Sequence, residues 1–328
     1  MKNYIEQFSQ QLEQALTIAQ SATIRPKQSD IRNVVITGLG GSAFGGEIVR
    51  NYIAKSCQVP FNINREYDIP AYIGKHTLFI TASYSGNTEE TLSAYELAVE
   101  QGAEIVCITS GGKLKASAEA RGYDYIELPK GYPPRAAAGF SVVQQLEILK
   151  AYGLIGDYEA DLKEAISLVK NFADHEEVKQ LAAQMKGKIG VLYSSEPMES
   201  IAIRWRQQIA ENSKQLAWHH IVPEMNHNEL VGWMFPKELM EKMMVLFLES
   251  GYDHPRTSLR VGINDEIIRK HTQNVCHIHA KGDSHLGQIF YLLHYGDWLS
   301  FYLAEENDID PVPVKVIDYL KSELAKHP

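Results

Sequence analysis

Residues 77–82 form an unbroken run of apolar and β-branched side chains, and from residue 88 to 101 the apolar spacing changes to that of a helix. The same alternation recurs along the first half of the chain. Short apolar runs at 33–38, 61–64, 104–109 and 124–128 predict four further strands, and helical spacing predicts helices over 3–23, 47–55 and 140–152. In the first helix Ile5, Phe8, Leu12, Ala15, Leu16 and Ala19 share one face. Strands this short and this apolar are buried on both sides, so strand–helix alternation predicts right-handed βαβ units and a parallel sheet between helical layers. The second half repeats the pattern without clear sequence identity to the first. Helices are expected over 160–174, 176–185, 198–214 and 284–305, strands over 188–193, 243–248 and 275–279, and a last helix after Pro311-Val312-Pro313 ending near Ala325. The fold expectation is α/β: two three-layer αβα sandwich domains with parallel sheets, over residues 1–155 and 156–328.

Composition narrows the function classes. A chain of 328 residues with 45% apolar and 22% charged side chains has the profile of a globular protein with room for two cores. The formal net charge of -9, with no basic cluster, argues against nucleic-acid binding, so an anionic ligand has to be held by local donors. Cys57, Cys107 and Cys276 are far apart and lack metal-type spacing, which reads as reduced thiols. The first residues carry no signal-type apolar segment, and no run reaches membrane-spanning length. The expectation is a cytoplasmic protein with no membrane or nucleic-acid partner.

Candidate chemistry concentrates at the ends of the predicted strands, where parallel sheets hold their ligands. Ser83, Ser85, Thr88 and Thr91 crowd a turn around Gly86 that leads into a helix. Helix starts offer unpaired N–H groups and a partial positive charge, so this turn can seat a phosphate. Capping by Asn87 or Thr88, completed by Glu90 or Thr91, is the alternative, although it accounts for one hydroxyl and not four. The turn after the first strand, Gly38-Leu39-Gly40-Gly41-Ser42-Ala43, fits a dinucleotide fingerprint in its Gly/Ala form, with Glu66 or Asp68 near the acidic position. Ser42 within the turn and the second anion site alongside count against that reading. Arg135 follows Pro133-Pro134 and precedes small residues, a setting suited to an anion or oxyanion, whereas a lone arginine is otherwise a solvated surface residue. Glu211 lies off the apolar stripe of Ile201, Trp205 and Ile209, which by periodicity alone is a solvated position. The run from Trp218 to Glu229 holds His219, His220, His227, Glu224 and Glu229 in a loop broken by Pro223. Its residue types admit a metal site, although the spacing does not match a helical His pair; structural histidines are the other reading.

Taken in order, these stretches resemble a known family. Ser83-Tyr84-Ser85-Gly86-Asn87-Thr88-Glu89-Glu90-Thr91 resembles the signature of sugar isomerase (SIS) domains, which bind phosphosugars. Gly40-Gly41-Ser42, Pro134-Arg135-Ala136, Ala210-Glu211-Asn212-Ser213-Lys214, Asn226-His227-Asn228-Glu229 and the stretch around Lys315 narrow the resemblance to bifunctional phosphoglucose/phosphomannose isomerases. The resemblance implies two SIS-type domains that isomerise hexose 6-phosphates through a cis-enediol(ate). It implies Ser83, Ser85 and Thr88 as the phosphate seat, Gly41 and Ser42 beside the sugar, and Glu211 as the base between C1 and C2. Arg135 would steady the oxyanion, His227 would open the ring from the other subunit of a homodimer, and Lys315 would approach the sugar oxygens. Neither metal nor cofactor is implied. The family stretch carries a threonine a few residues upstream of the lysine, which is thought to leave room for both hexose epimers. Residues Asn307-Asp308-Ile309-Asp310 contain none. Three alternatives remain: a phosphosugar sensor without turnover, another SIS enzyme acting on amino-sugar phosphates, and a dinucleotide-dependent dehydrogenase.

Overall fold

The computed structural model describes residues 1–27, 30–324 and 326. The chain forms two compact units, one comprising Glu6–Lys170 with Ser284–Gly287, the other Met1–Ile5, Asn171–Asp283 and Gln288–Pro328.

The first unit is built on a parallel sheet of β1 (Asn33–Thr37), β2 (Phe61–Asn64), β3 (Thr77–Ser83), β4 (Glu104–Thr109) and β5 (Asp124–Glu127), in the order β2-β1-β3-β4-β5. All seven residues of β3 are buried, as a central strand covered on both faces requires. After α1 (Lys2–Glu6), all but the last residue of which belongs to the second unit, the helices of this unit in chain order are α2 (Phe8–Ser21), α3 (Gly41–Ile53), α4 (Glu89–Glu100), α5 (Gly112–Arg121), α6 (Ala138–Ala151) and α7 (Glu159–Lys170). Helices α2, α3 and α6 pack together, with α7 against α2. Phe79, Tyr95, Ile105 and Leu114 join strands β3 and β4 to α4 and α5 in one apolar cluster. Strand order reverses between β1 and β3, so the crevice for a ligand opens outside the carboxyl ends of those two strands.

Two local expectations change. The single helix over 3–23 is interrupted at Gln7, whose backbone leaves helical values (φ -90°, ψ 9°). Helix α3 begins at Gly41 and not at residue 47, although glycine is a poor helix former. Packing is the reason: a β-carbon on Gly41 would lie 2.4 Å from the Pro134 carbonyl oxygen, and one on Gly45 would lie 2.4 Å from Ser141 Oγ.

The second unit repeats the theme with β6 (Ile189–Ser195), β7 (Ala217–Val222), β8 (Met243–Glu249) and β9 (Val275–His279), parallel in the order β7-β6-β8-β9. Its helices are α8 (His175–Met185), α9 (Glu199–Ser213), α10 (Glu229–Gly232), α11 (Lys237–Met240), α12 (Pro255–Ile268), α13 (His285–Glu306) and α14 (Lys315–Leu324), the first turn of α13 belonging to the first unit. The stretch expected as a loop from Trp218 opens instead with edge strand β7. Pro223 terminates the strand, at a point where its missing N–H breaks no ladder bond. The expected end of the last helix near Ala325 lies outside the described residues. Among the described residues no helix is long and apolar enough to cross a membrane.

Candidate active site

Strand β3 delivers Ser83 to the carboxyl edge of the first sheet, and the chain then turns through Gly86 at φ +68° into α4. The turn is held from inside. Ser83 Oγ accepts the Gly86 N–H at 3.1 Å and lies 3.0 Å from Thr88 Oγ1. Ser85 Oγ accepts the Asn87 N–H at 3.3 Å. Next door, the β4–α5 turn braces the same loop: Ser110 donates its N–H and its hydroxyl to the Tyr84 carbonyl, and Leu114 N–H donates to the Gly86 carbonyl.

The capping alternative for these hydroxyls can be tested directly. Thr88 holds the N-cap position of α4 in an extended conformation, yet its side chain makes no cap hydrogen bond. Asn87 Oδ1 instead accepts the Lys113 N–H at 3.1 Å. Both candidate caps are therefore committed elsewhere, and among the described residues the opening N–H groups of α4 have no side-chain acceptor. A helix start in that state has N–H groups able to receive an anion, and the Ser83, Ser85 and Thr88 hydroxyls lie in the turn that leads into it.

The Gly40-Gly41-Ser42 turn and Arg135 meet at the same edge. Gly41 packs on the Pro134 carbonyl, so the 3-10 turn Pro134–Ala136 sits against the start of α3. Arg135 is 8% exposed, so the solvated-surface alternative fails for it. The Ser42 carbonyl accepts Ser141 Oγ–H and Gln145 Nε2–H, each at 3.4 Å. A small cavity runs between Gly41, Ser42, Ala82, Tyr84, Pro134 and Ser141. Tyr84 is the joint that sequence reasoning missed. Its hydroxyl donates to the Pro129 carbonyl at 2.7 Å and accepts the Tyr132 N–H at 3.0 Å, tying the lead-in to Arg135 onto the phosphate-type loop. Nothing in a Ser-Tyr-Ser tripeptide announces that contact, which joins residues 48 apart in the chain.

In the second unit, α9 is fixed by one polar face against α13. Arg204 makes a two-pronged ion pair with Asp297, at 3.0 Å from both Nε and the terminal nitrogen, with both side chains buried. Gln208 donates to the same carboxylate, Trp205 Nε1–H to the Leu292 carbonyl, Asn212 to Ser300 Oγ, and Ser213 to the Ser300 carbonyl. Glu211 stands beside that face, half-buried, in the last turn before Lys214 ends the helix at φ 53°. The start of β7 follows at once, so Glu211 lies at the amino edge of the second sheet. Asn307, just past α13, donates to the Ser213 carbonyl at 3.1 Å, which brings the chain leading to Lys315 to this same edge. Lys315 itself is exposed at the first position of α14, a helix with no buried residue.

His227 lies at the other end of the sheet. It closes the 3-10 turn Glu224–His227 after the carboxyl end of β7, and it is exposed. The six residues of β7 separate the two edges by about 20 Å. One chain's second unit therefore does not bring Glu211 and His227 together. Of the other histidines of the run, His220 has structural work: its Nδ1 lies 2.7 Å from Glu229 Oε2, and the other Glu229 oxygen accepts the Tyr193 hydroxyl. Burial, and then the Glu229 charge, push the Tyr193 phenol well above its ordinary value. Among the described residues no group of three or more His, Cys, Asp or Glu side chains is arranged to hold a metal ion.

Comparison with known proteins places this geometry in context. Residues 29–154 match the SIS domain model, and residues 174–324 match the bacterial phospho-glucose isomerase C-terminal SIS domain. A bifunctional phosphoglucose/phosphomannose isomerase of Caldicellulosiruptor bescii is 40% identical over 327 residues, covering 97% of this chain and 96% of the relative. A D-glucosamine-6-phosphate 4-epimerase of Sulfolobus acidocaldarius is 34% identical over 207 residues, covering 62% of this chain and 65% of that protein. The solved C-terminal domain of a glucosamine-fructose-6-phosphate aminotransferase from Francisella tularensis shares the fold. Its TM-score is 0.73 at 16% identity, covering 94% of this chain and 96% of that one.

Proposed function

Because the chain belongs to the bifunctional phosphoglucose/phosphomannose isomerase family, we propose that it interconverts fructose 6-phosphate with glucose 6-phosphate and mannose 6-phosphate. The observation that carries the reading is the Ser83–Thr88 turn, whose hydroxyls gather at a helix start that no side chain caps. The phosphate docks there, on Ser83, Ser85, Thr88 and the backbone amides of α4, with Gly41 and Ser42 beside the sugar. Remote binding energy of this kind orients the carbon chain at the reacting carbons. His227 moves the ring-oxygen and anomeric protons to open the ring, a role suited to a side chain that titrates near neutrality. Glu211 carries one proton between C1 and C2 through the cis-enediol(ate), Arg135 holds the negative charge that develops on oxygen, and Lys315 approaches the sugar oxygens. Reprotonation of a planar C2 on either face, after rotation about C2–C3, yields both epimers from one base.

The reading includes a homodimer in which His227 serves the site of the other copy. Two features support it. Glu211 and His227 occupy opposite edges of the second sheet, and the segment around His227 exposes Trp218, Val231 (73% exposed), Met234 and Phe235 (68%). The proposed setting is cytoplasmic, in keeping with the free thiols of Cys57, Cys107 and Cys276.

The test is a coupled assay on purified protein given fructose, glucose, mannose and glucosamine 6-phosphates in turn, with chelator present, beside Glu211→Gln. Turnover of the first three, abolished by the substitution, is the expected result. Turnover of the glucose pair alone confines the activity to phosphoglucose isomerase and gives the missing threonine its meaning. Turnover of glucosamine 6-phosphate alone moves the protein to amino-sugar chemistry. Phosphosugar binding without turnover leaves a sensor.

A further inference from the structure

In Asn226-His227-Asn228-Glu229 the side chains of Asn226, Asn228 and Glu229 hold the turn, while among the described residues none is hydrogen-bonded to the His227 ring. Asn226 Nδ2 donates to Asn264 Oδ1 on α12. Asn228 Oδ1 accepts the Glu229 N–H at 2.6 Å, while its Nδ2 donates to Glu224 Oε1 at 3.0 Å. Glu229 does most. One of its carboxylate oxygens accepts the hydroxyl of Tyr193, and the other pairs with His220 Nδ1 at 2.7 Å. Tyr193 and His220 are register partners on β6 and β7, so a single carboxylate bridges two neighbouring strands to the helix that begins two residues after His227. The anchor is rigid. Tyr193 is fully buried against Phe247, with ring centroids 5.5 Å apart, and its hydroxyl also accepts Trp233 Nε1–H at 3.0 Å from beyond the end of α10. The segment is thus pinned on both sides of His227, to α12 through Asn226 and to the sheet through Glu229.

We propose that Glu229 is a positioning residue for His227, fixing the backbone turn that carries the imidazole so that the ring is presented where proton transfer to the sugar ring demands. The inference rests on the reading of His227 as the ring-opening group. Catalytic groups have to be held within a fraction of an ångström, and a misplacement of about 1 Å can lower turnover about 100-fold. The carboxylate works here through hydrogen bonds and not as an acid or base. A glutamine can therefore replace it: the amide oxygen accepts from Tyr193, and the amide N–H donates to His220 in its other tautomer.

The experiment compares Glu229→Ala, Glu229→Gln, His227→Asn and the Glu229→Ala/His227→Asn pair in the full-length protein. Two rates are followed with glucose 6-phosphate: conversion to the ketose, and exchange between α and β anomers by NMR, which reports ring opening alone. Glu229→Ala lowers both rates about 100-fold at unchanged KM and with an intact folding transition, and Glu229→Gln stays within about threefold of wild type. The double variant falls no further than His227→Asn, because a misplaced and an absent histidine are equivalent. Independent, additive losses overturn the inference, as does wild-type anomer exchange in Glu229→Ala. An inactive Glu229→Gln overturns it in favour of a direct chemical role for the carboxylate. Wild-type rates in His227→Asn sink the ring-opening reading itself, and this proposal with it. Should Glu229→Ala fail to fold, Tyr193→Phe removes the opposite anchor and is judged by the same two rates.

Discussion

One methyl group at position 86 probes the phosphate-type loop without touching any candidate ligand. Gly86 adopts φ +68°, which costs an L-residue about 1–2 kcal/mol. Sterics add more, because the new β-carbon would lie 1.8 Å from the Gly111 carbonyl oxygen and 2.8 Å from Thr109 Oγ1. Ordinary contact begins at 3.4 Å, so the two turns have to separate by about 1.6 Å. The displaced atoms are backbone and cannot rotate away. Moving Gly86 also pulls on the Gly86 N–H bond to Ser83 and the Leu114 N–H bond to the Gly86 carbonyl, which between them set the shape of the loop. A phosphate that then misses one or two charge-assisted hydrogen bonds loses about 1.5–3 kcal/mol for each. In Gly86→Ala the KM for fructose 6-phosphate should therefore rise by about 10-fold to about 100-fold if one bond is lost, and by up to about 10,000-fold if two are. Inorganic phosphate should weaken as a competitive inhibitor in parallel, and kcat at saturation should change less. Steady-state kinetics with phosphate inhibition, alongside a thermal melt to establish folding, measures all of this. A folded variant whose KM and phosphate inhibition stay within about threefold of wild type would refute the assignment of this loop as the phosphate seat.

Other parts of the structure make separate predictions. Burial holds His294 neutral, with its pKa lowered to about 3, while Trp298 Nε1–H donates to its Nε2 at 3.0 Å. The unfolded chain protonates first, near pH 6.5, so this contribution is present above that pH and is lost as pH falls from about 6.5 toward 3, amounting to about 2.5 kcal/mol between pH 7 and 4.5. Urea unfolding across that range should show a shallower acid limb in His294→Gln, and an unchanged limb would contradict the assignment. His277 has the opposite sign: its hydrogen bond to Glu249 raises its pKa, so its contribution is present below pH 6.5 and lost as pH rises through the folded value. Arg204→Met strands the buried Asp297 carboxylate and should cost about 3–5 kcal/mol, whereas replacing both partners by apolar residues should cost much less; denaturant midpoints decide between a true buried pair and an incidental one. Mixing inactive Glu211→Gln and His227→Asn proteins under subunit exchange should restore about a quarter of wild-type activity, since half the dimers then contain one intact site. No recovery, despite proven exchange, would place both groups of each site on one chain.

The fold class could be read from the sequence because buried parallel strands have a local signature. The run at β3 is apolar or β-branched at nearly every position, and the period changes where α4 begins, so each element declared itself without knowledge of its neighbours. Elements that depend on distant contacts were misread. The start of α3 looked like a loop because glycine disfavours helices, and only the approach of Pro134 and Ser141 makes the glycines necessary. Edge strand β7 was hidden by the proline that follows it and by its histidines, which are unusual in a strand until Glu229 is seen to pair with one of them.

The candidate site divides along the same line. The residue types were legible: four hydroxyls about a glycine, an arginine after two prolines, a glutamate off an apolar stripe and a histidine between two asparagines. Their chemistry is carried by the side chain itself and survives in a string of letters. Position was not legible. Sequence could not decide whether Asn87 caps α4, because that depends on Asn87 bonding to Lys113 across a turn 26 residues away. It could not bury Arg135, which takes Tyr84 and Gly41 to fix the surrounding turn. Nor could it reveal that Glu211 and His227, 16 positions apart in the chain, stand at opposite edges of one sheet. Local pattern determines which elements form, because propensity and periodicity act over a few residues. Which groups face one another is decided by hydrogen bonds and packing between elements distant in sequence, and only the tertiary structure holds that information.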